Sequence, residues 1–169
     1  YELEIPGAKL KLNLDFHPEH PGATGADTLQ MLFSANAGQP LQPMEKAASG
    51  GEVSRLNFCF KSLLAGRKNM PSLVFDEADT GVSGHVAGRM GEMMEALGRR
   101  HQLIAITHLP QVAAKGQTHF FVYKDPGLLG TESKLRRLEN EERISVIAQM
   151  LSGKKPGEAA MANARELLN

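Results

Sequence analysis

The chain has 169 residues, 41% of them hydrophobic, which is enough for one compact domain with its own core. Its 19 basic and 19 acidic residues give a formal net charge of zero, which argues against a module that coats DNA through excess positive charge. The single cysteine excludes an internal disulfide framework, and no stretch predicts a signal peptide or a membrane span, so a reducing cytoplasm is expected.

The first part of the chain predicts an antiparallel hairpin. Apolar and polar residues alternate strictly over Lys9–Phe16, with Leu10, Leu12, Leu14 and Phe16 on one side, which is the pattern of a half-buried strand. Residues 28–33 are a second strand candidate. The segment between them is rich in proline and glycine and is expected to form a loop.

The middle of the chain alternates between helical and strand patterns. Residues 49–65 predict a helix with five apolar residues on its core face: Val53, Leu56, Phe60, Leu63 and Leu64. Residues 86–97 predict another helix, and the apolar runs 72–75 and 102–107 predict buried parallel strands. This alternation is typical of an α/β sheet.

The last part of the chain predicts two more strands followed by two helices. The run 120–123 predicts a further buried strand, and residues 134–138 predict an edge strand. Residues 141–151 and Glu158–Leu168 predict amphipathic helices. The whole chain, 1–169, is expected to form a single domain that is part of a longer protein.

Four features that can carry chemistry follow one another along the chain. The first is the predicted helix start at Ser49, Gly50, Gly51 and Glu52. Ser49 is a good N-cap, and the two glycines let a ligand approach the backbone closely. The free amides and the dipole of a helix start attract phosphate oxygens, although an ordinary capped helix explains these four residues as well.

The other three features are predicted to lie at one edge of the sheet. The strand 72–75 ends in Asp76 and Glu77, of which one can hold Mg²⁺ through water and the next can deprotonate an attacking water. A polar loop with Asp79 follows, and a second buried strand delivers His108 to the same edge. Taken separately, these features are also compatible with a solvated strand end, a surface loop and a structural histidine.

Taken in order, these features resemble the motifs of ABC ATPases. Residues 48–52 resemble the ABC signature motif, and residues 73–77 resemble the Walker B motif with its catalytic glutamate. Asp79 falls where that family has its D-loop, and His108 falls where it has its switch histidine.

Longer strings resemble the RecN branch of the SMC-like DNA-repair ATPases, and they lie at residues 33–40, 76–84 and 107–113. ABC transporters and true SMC proteins do not usually carry these strings. The resemblance implies an α/β fold, namely the carboxy-terminal lobe of a P-loop NTPase-like ABC ATPase head. Such a lobe has a mostly parallel sheet flanked by helices and an amino-terminal antiparallel hairpin.

The resemblance also implies a role for each site residue. Asp76 would hold Mg²⁺ through water, Glu77 would act as the general base, and His108 would contact the γ-phosphate of ATP. Asp79 would reach across a dimer of heads. The signature residues would cap the nucleotide that the other head binds: Ser49, Gly50, Gly51 and Glu52.

The implied partners are the amino-terminal P-loop lobe of the same protein, a second copy of the head, and DNA, with no membrane. The sequence contains no Gly-x-x-x-x-Gly-Lys-Ser/Thr phosphate-binding loop, so this chain alone is predicted to be inactive. The complete protein would be a cytoplasmic, nucleoid-associated ATPase in DNA double-strand-break repair. Two alternatives remain: the ATPase subunit of a transporter, and a non-hydrolysing binding module. The intact carboxylates and histidine argue against the second alternative.

Overall fold

The structure is a computed structural model that describes residues 3, 7–19, 21–23, 25–47, 49–68, 70–127 and 130–169. None of the helices in this part of the chain combines the length and the apolarity that crossing a membrane requires. The elements follow in this order: β1 Lys9–Phe16, β2 Asp27–Ser34, β3 Gln42–Pro43, α1 Met44–Ala47, α2 Gly50–Lys68, β4 Ser72–Asp76, α3 Gly84–Gly98, β5 Gln102–Ile106, α4 Pro110–Ala113, β6 Phe120–Gly127, β7 Gly130–Arg137, α5 Asn140–Ser152 and α6 Glu158–Leu168.

The predicted amino-terminal hairpin is present, but its apolar face is open. Strands β1 and β2 pair antiparallel from Lys9 opposite Ser34 to Phe16 opposite Asp27, and β3 adds a short third strand. The side chains of Leu12, Leu14 and Phe16 are 58–66% exposed, so the expectation of a half-buried β1 is wrong for this chain. Alternation marks a face that suits burial, but burial requires a second layer.

The centre of the fold is a β4–α3–β5 unit whose two strands pair in parallel, as the alternating pattern predicts. One face of this sheet carries the core, where the buried Leu73 and Phe75 of β4 meet Met90 of α3. On the opposite face Val74 and Ile104 are about half exposed. The sheet is therefore apolar on both faces but covered on only one.

Helix α2 forms where predicted, but it is longer and turns a different face to the core. It continues through the expected end to Lys68, and its buried residues are Phe58 and Ala65. The ring of Phe58 packs against that of Phe75, with 5.0 Å between their centroids. Leu63, which the spacing placed on the core face, is 67% exposed. Because α2 has apolar residues on more than one side, periodicity alone does not select the buried side.

The run 120–123 does not form a buried strand of the parallel sheet, contrary to expectation. It is the start of β6, which pairs antiparallel with β7 in a separate two-stranded sheet, and Phe120 and Val122 are exposed. The parallel sheet in the described part of the chain thus has only two strands, β4 and β5. The two carboxy-terminal helices form as predicted and pack together, with Ile147 and Ala164 fully buried between them.

Candidate functional site

The carboxyl ends of β4 and β5 form one edge, where most of the predicted site residues emerge. Asp76 lies opposite Ile106 in the parallel register, so Glu77 and His108 follow the two strands at neighbouring positions. The backbone N–H of Glu77 donates to the carbonyl oxygen of Ile106 at 3.0 Å. Asp76, Glu77 and His108 are all exposed, so their side chains are accessible to a ligand at this edge.

Glu77 has an unusual backbone conformation. Its φ is +45°, and it is the only non-glycine residue with positive φ in the described part of the chain. The carbonyl oxygen of Glu77 accepts from the amide of Thr80 at 3.1 Å and from its hydroxyl at 2.8 Å, which holds the turn. Such a conformation costs about 1–3 kcal/mol and is found preferentially at functional sites.

Asp79, for which the resemblance implies a reach across a dimer, has a hydrogen-bond partner within this chain. Its side chain is only 1% exposed, and it accepts a hydrogen bond from the hydroxyl of Thr107. That hydroxyl also accepts from the backbone N–H of Leu109 at 3.0 Å. Asp79 therefore connects the loop after β4 to the loop after β5 inside this chain, and its reach across a dimer stays a prediction.

The start of α2 is held by a capping box. The backbone N–H of Ser49 donates to Glu52 Oε2 at 2.8 Å, and the N–H of Glu52 donates to Ser49 Oγ at 3.4 Å. The side chain of Glu52 thus has a structural partner. The amides of Gly50 and Gly51 belong to the first turn, which a helix leaves without intrahelical acceptors, so they suit an anion. Ala48, part of the signature-like string, lies outside the described residues.

The helix start and the loop after Glu77 are in direct contact. A Cβ built on Gly51 would lie 2.9 Å from the carbonyl oxygen of Gly81, so the two backbones touch. Gly81 has φ +72°, which favours glycine. The structure thereby brings all four sequence features together. Sequence reasoning assigned no role to Gly81 or Thr107, although both lie within the quoted strings.

The residues at this edge fit a Mg²⁺ ion that is shared with the phosphates of a bound nucleotide. Within the described residues, no group of three or more His, Cys, Asp or Glu side chains is placed to hold a metal ion. Mg²⁺ in nucleotide sites commonly takes one or two carboxylates together with substrate phosphates and water. The exposed carboxylate of Asp76 fits that arrangement and does not fit a site built from protein ligands alone.

Among curated proteins, the chain is similar to DNA repair protein RecN of several bacteria. It is 40% identical to that of Vibrio cholerae and 42% identical to that of Xylella fastidiosa strain 9a5c, in each case over 168 residues. These residues are 99% of this chain and 30% of each relative. RecN of Bacillus subtilis is 38% identical over 85% of the chain. No model of a known protein family matches the chain.

Among solved structures, the chain resembles SMC heads. An SMC ATPase studied for ATP-driven dimerization and DNA-stimulated activation superposes with a TM-score of 0.63 at 23% identity, over 92% of this chain and 87% of that one. The Smc head domain of Pyrococcus yayanosii superposes with a TM-score of 0.66 at 22% identity, over 89% of this chain and 27% of that one. The structural similarities confirm the α/β head fold. The sequence matches show that the chain is homologous to a segment of RecN, and this segment makes up about 30% of the length of the relatives.

Proposed function

We propose that this chain is the carboxy-terminal lobe of the ATPase head of a RecN-type DNA repair protein. The observation that carries the proposal is the contact of Gly51 with Gly81, which joins a capped helix start to the sheet edge with two carboxylates and a histidine. An anion-binding helix start beside a metal-binding carboxylate and a candidate base suits phosphoryl chemistry.

Each exposed residue of the edge has a role in this proposal. Asp76 would hold Mg²⁺ through water, and the bound ion would supply positive charge at the phosphates of ATP. Glu77 orients the attacking water and takes its proton, and its strained backbone keeps the carboxylate at the turn. His108, which follows β5 at the same edge, contacts the γ-phosphate.

The helix start acts on the nucleotide of a second head. Ser49, Gly50 and Gly51 are exposed or half-buried at the surface, where the two glycine amides cap the γ-phosphate of ATP bound to the partner. Hydrolysis therefore depends on dimerisation of heads. Glu52 shapes the helix start through the capping box, and its contact with the nucleotide stays a prediction.

The lobe requires a second lobe that supplies the phosphate-binding loop. Two apolar faces of this chain are open: the β1–β2 face with Leu14 and Phe16, and the β4–β5 face with Val74, Ile104 and Ile106. Open apolar faces of this kind mark contacts with other polypeptide. The RecN relatives are long enough to provide it, because the chain spans only about 30% of their length. The isolated chain is accordingly inactive.

The DNA-related part of the proposal rests on the relatives. They are named DNA repair proteins, and a structural neighbour is described as an SMC ATPase whose activation DNA stimulates. We therefore infer that DNA is a partner of the complete protein and that it acts in the cytoplasm on the nucleoid. The zero net charge of this segment argues against a surface here that coats DNA through excess positive charge.

The test is ATP hydrolysis by the full-length protein, with and without DNA. Glu77→Gln should lower kcat by about 10²–10⁴-fold and leave ATP binding intact, since it removes the base and keeps the shape. Glu92→Gln is the matched control, because Glu92 is an exposed residue of α3 that pairs with Arg89. Parental turnover in Glu77→Gln would exclude Glu77 as the base. ATP binding without turnover in the parent would favour the non-hydrolysing module.

A further inference from the structure

We propose that Asp79 and Thr107 are positioning residues that hold the catalytic edge in its working geometry. This inference rests on the proposed function, since it concerns how Glu77 and His108 are held relative to each other. Neither Asp79 nor Thr107 is expected to touch the nucleotide, because Asp79 is buried and the hydroxyl of Thr107 is directed to it.

The position of the pair in the chain supports the inference. Asp79 lies two residues after Glu77, and Thr107 lies immediately before His108. The hydrogen bond between them therefore joins the two loops that carry the candidate base and the candidate γ-phosphate ligand. A second bond at this edge runs from the backbone N–H of Glu77 to the carbonyl oxygen of Ile106.

The chemistry of Thr107 explains why a hydroxyl is required. Its Oγ1 donates to Asp79 and accepts from the N–H of Leu109 at the same time, so it fixes the backbone on both sides of His108. Serine provides the same donor and acceptor, whereas valine has a similar shape and provides neither. Removing the donor also leaves a buried carboxylate unpaired, which is costly.

The strained turn at Glu77 gives the pair its functional importance. A residue at φ +45° persists only when surrounding contacts hold it, and the bond from Thr107 to Asp79 is one of those contacts. Without it, we expect the turn to relax and the carboxylate of Glu77 to move away from the position of the attacking water. Misplacement by about 1 Å costs on the order of 10²-fold in rate.

The experiment compares single and double variants of the full-length protein. Thr107→Val should lower kcat about 10- to 100-fold, with the Kd for ATP unchanged within about twofold, and Thr107→Ser should restore the rate. The double variant Asp79→Leu with Thr107→Val replaces both partners by apolar groups, which preserves folding better, and it should show the same loss of kcat.

Ser72→Ala is the matched control. It breaks a 2.8 Å side-chain bond from Ser72 to Gln102, between the same two strands at their other end, and should keep kcat within about twofold.

A second readout does not require hydrolysis. In nucleotide-free protein, the amide of Leu109 should exchange its hydrogen faster in Thr107→Val than in the parent or in Ser72→Ala, because its acceptor is gone. Three results would each overturn the inference. They are unchanged hydrogen exchange at Leu109 in Thr107→Val, a parental kcat in the folded double variant, and an equal loss of kcat in Thr107→Val and Ser72→Ala. A parent protein without ATPase activity would instead refute the proposed function, and the exchange experiment would still test the hydrogen-bonded pair.

Discussion

Gly51 and Gly81 touch backbone to backbone, although they are 30 positions apart in the chain. A Cβ on Gly51 would lie 2.9 Å from the carbonyl oxygen and 3.4 Å from the Cα of Gly81. The contact brings the first turn of α2 against the loop that follows Glu77. A displacement of the helix start is therefore transmitted directly to the loop that carries the candidate base.

The first prediction concerns this contact. Gly51→Ala should destabilise the protein by about 1–3 kcal/mol, because the new methyl group meets backbone atoms that have to shift. Gly50→Ala is the matched control: it adds the same methyl group one residue earlier, where no atom lies within 4 Å, and should change stability by less than about 0.5 kcal/mol. Urea unfolding measures both changes. Equal stability of the two variants would show that the helix start and the loop do not pack as described.

The second prediction separates capping from recognition of a partner head. Ser49→Arg in the full-length protein should abolish ATP-driven dimerisation and spare ATP binding, because a long side chain at the helix start blocks close approach. Ser49→Ala also removes the bond from Ser49 Oγ to the N–H of Glu52, which costs about 0.5–2 kcal/mol, but adds no bulk. It should still dimerise. Sedimentation with ATP decides, and a normal dimer of Ser49→Arg would refute the role of the helix start in capping the partner's nucleotide.

The edge of the sheet was predictable from sequence, whereas the interior of its loops was not. Asp76 and His108 follow apolar runs, and the ends of parallel strands meet at one edge whatever the details of the loops. The burial of Asp79 has no comparable signal, because a polar residue in a loop follows no periodicity. The same holds for the contact of Gly51 with Gly81, which depends on how two distant segments pack.

The wrong predictions about the fold have a related origin. Helix α2 has apolar residues such as Leu63 and Phe58 on different sides, and the core selected the side with Phe58 and Ala65. An apolar run such as residues 120–123 indicates a strand but does not indicate its partner or its direction. The alternation over Lys9–Phe16 predicted strand β1 correctly, but none of the described residues covers its apolar face.

The third prediction concerns pH. Burial of the His119 ring and, secondarily, the charge of Arg143 lower the pKa of His119 below its usual 6.5, although hydrogen bonds with backbone groups oppose this. The unfolded chain therefore takes up a proton at a higher pH than the folded protein. The stability that the neutral ring contributes is present above about pH 6.5 and is lost as the pH falls from there through the lowered pKa.

Unfolding free energies measured between pH 7.5 and 5.0 test this expectation. His119→Gln should reduce the loss of stability on acidification, since it removes the group that differs between the two states. An identical acid dependence in His119→Gln and the parent would contradict the assignment.

The last prediction concerns the open apolar face of the β1–β2 hairpin. Leu12, Leu14 and Phe16 lie on one face of β1, and Leu14 lies opposite the exposed Leu29 of β2. Since large exposed apolar patches are uncommon on monomers, the isolated chain should self-associate, and the association should strengthen with salt that favours burial of apolar surface. Light scattering over a range of concentrations measures it.

A pair of double variants locates the surface. Leu12→Lys with Leu14→Lys should shift the isolated chain towards monomer, because two charges then lie on the face that associates. Thr28→Lys with Gln30→Lys adds the same two charges to the opposite face of the same hairpin, where Thr28 pairs with Asp15 and Gln30 with Asn13. This control should associate like the parent. In the full-length protein, Leu12→Lys with Leu14→Lys should lower the unfolding temperature more than Thr28→Lys with Gln30→Lys, because we propose that the second lobe packs on the apolar face of the hairpin. Equal unfolding temperatures of the two full-length double variants would mean that the apolar face of the hairpin is open in the complete protein as well.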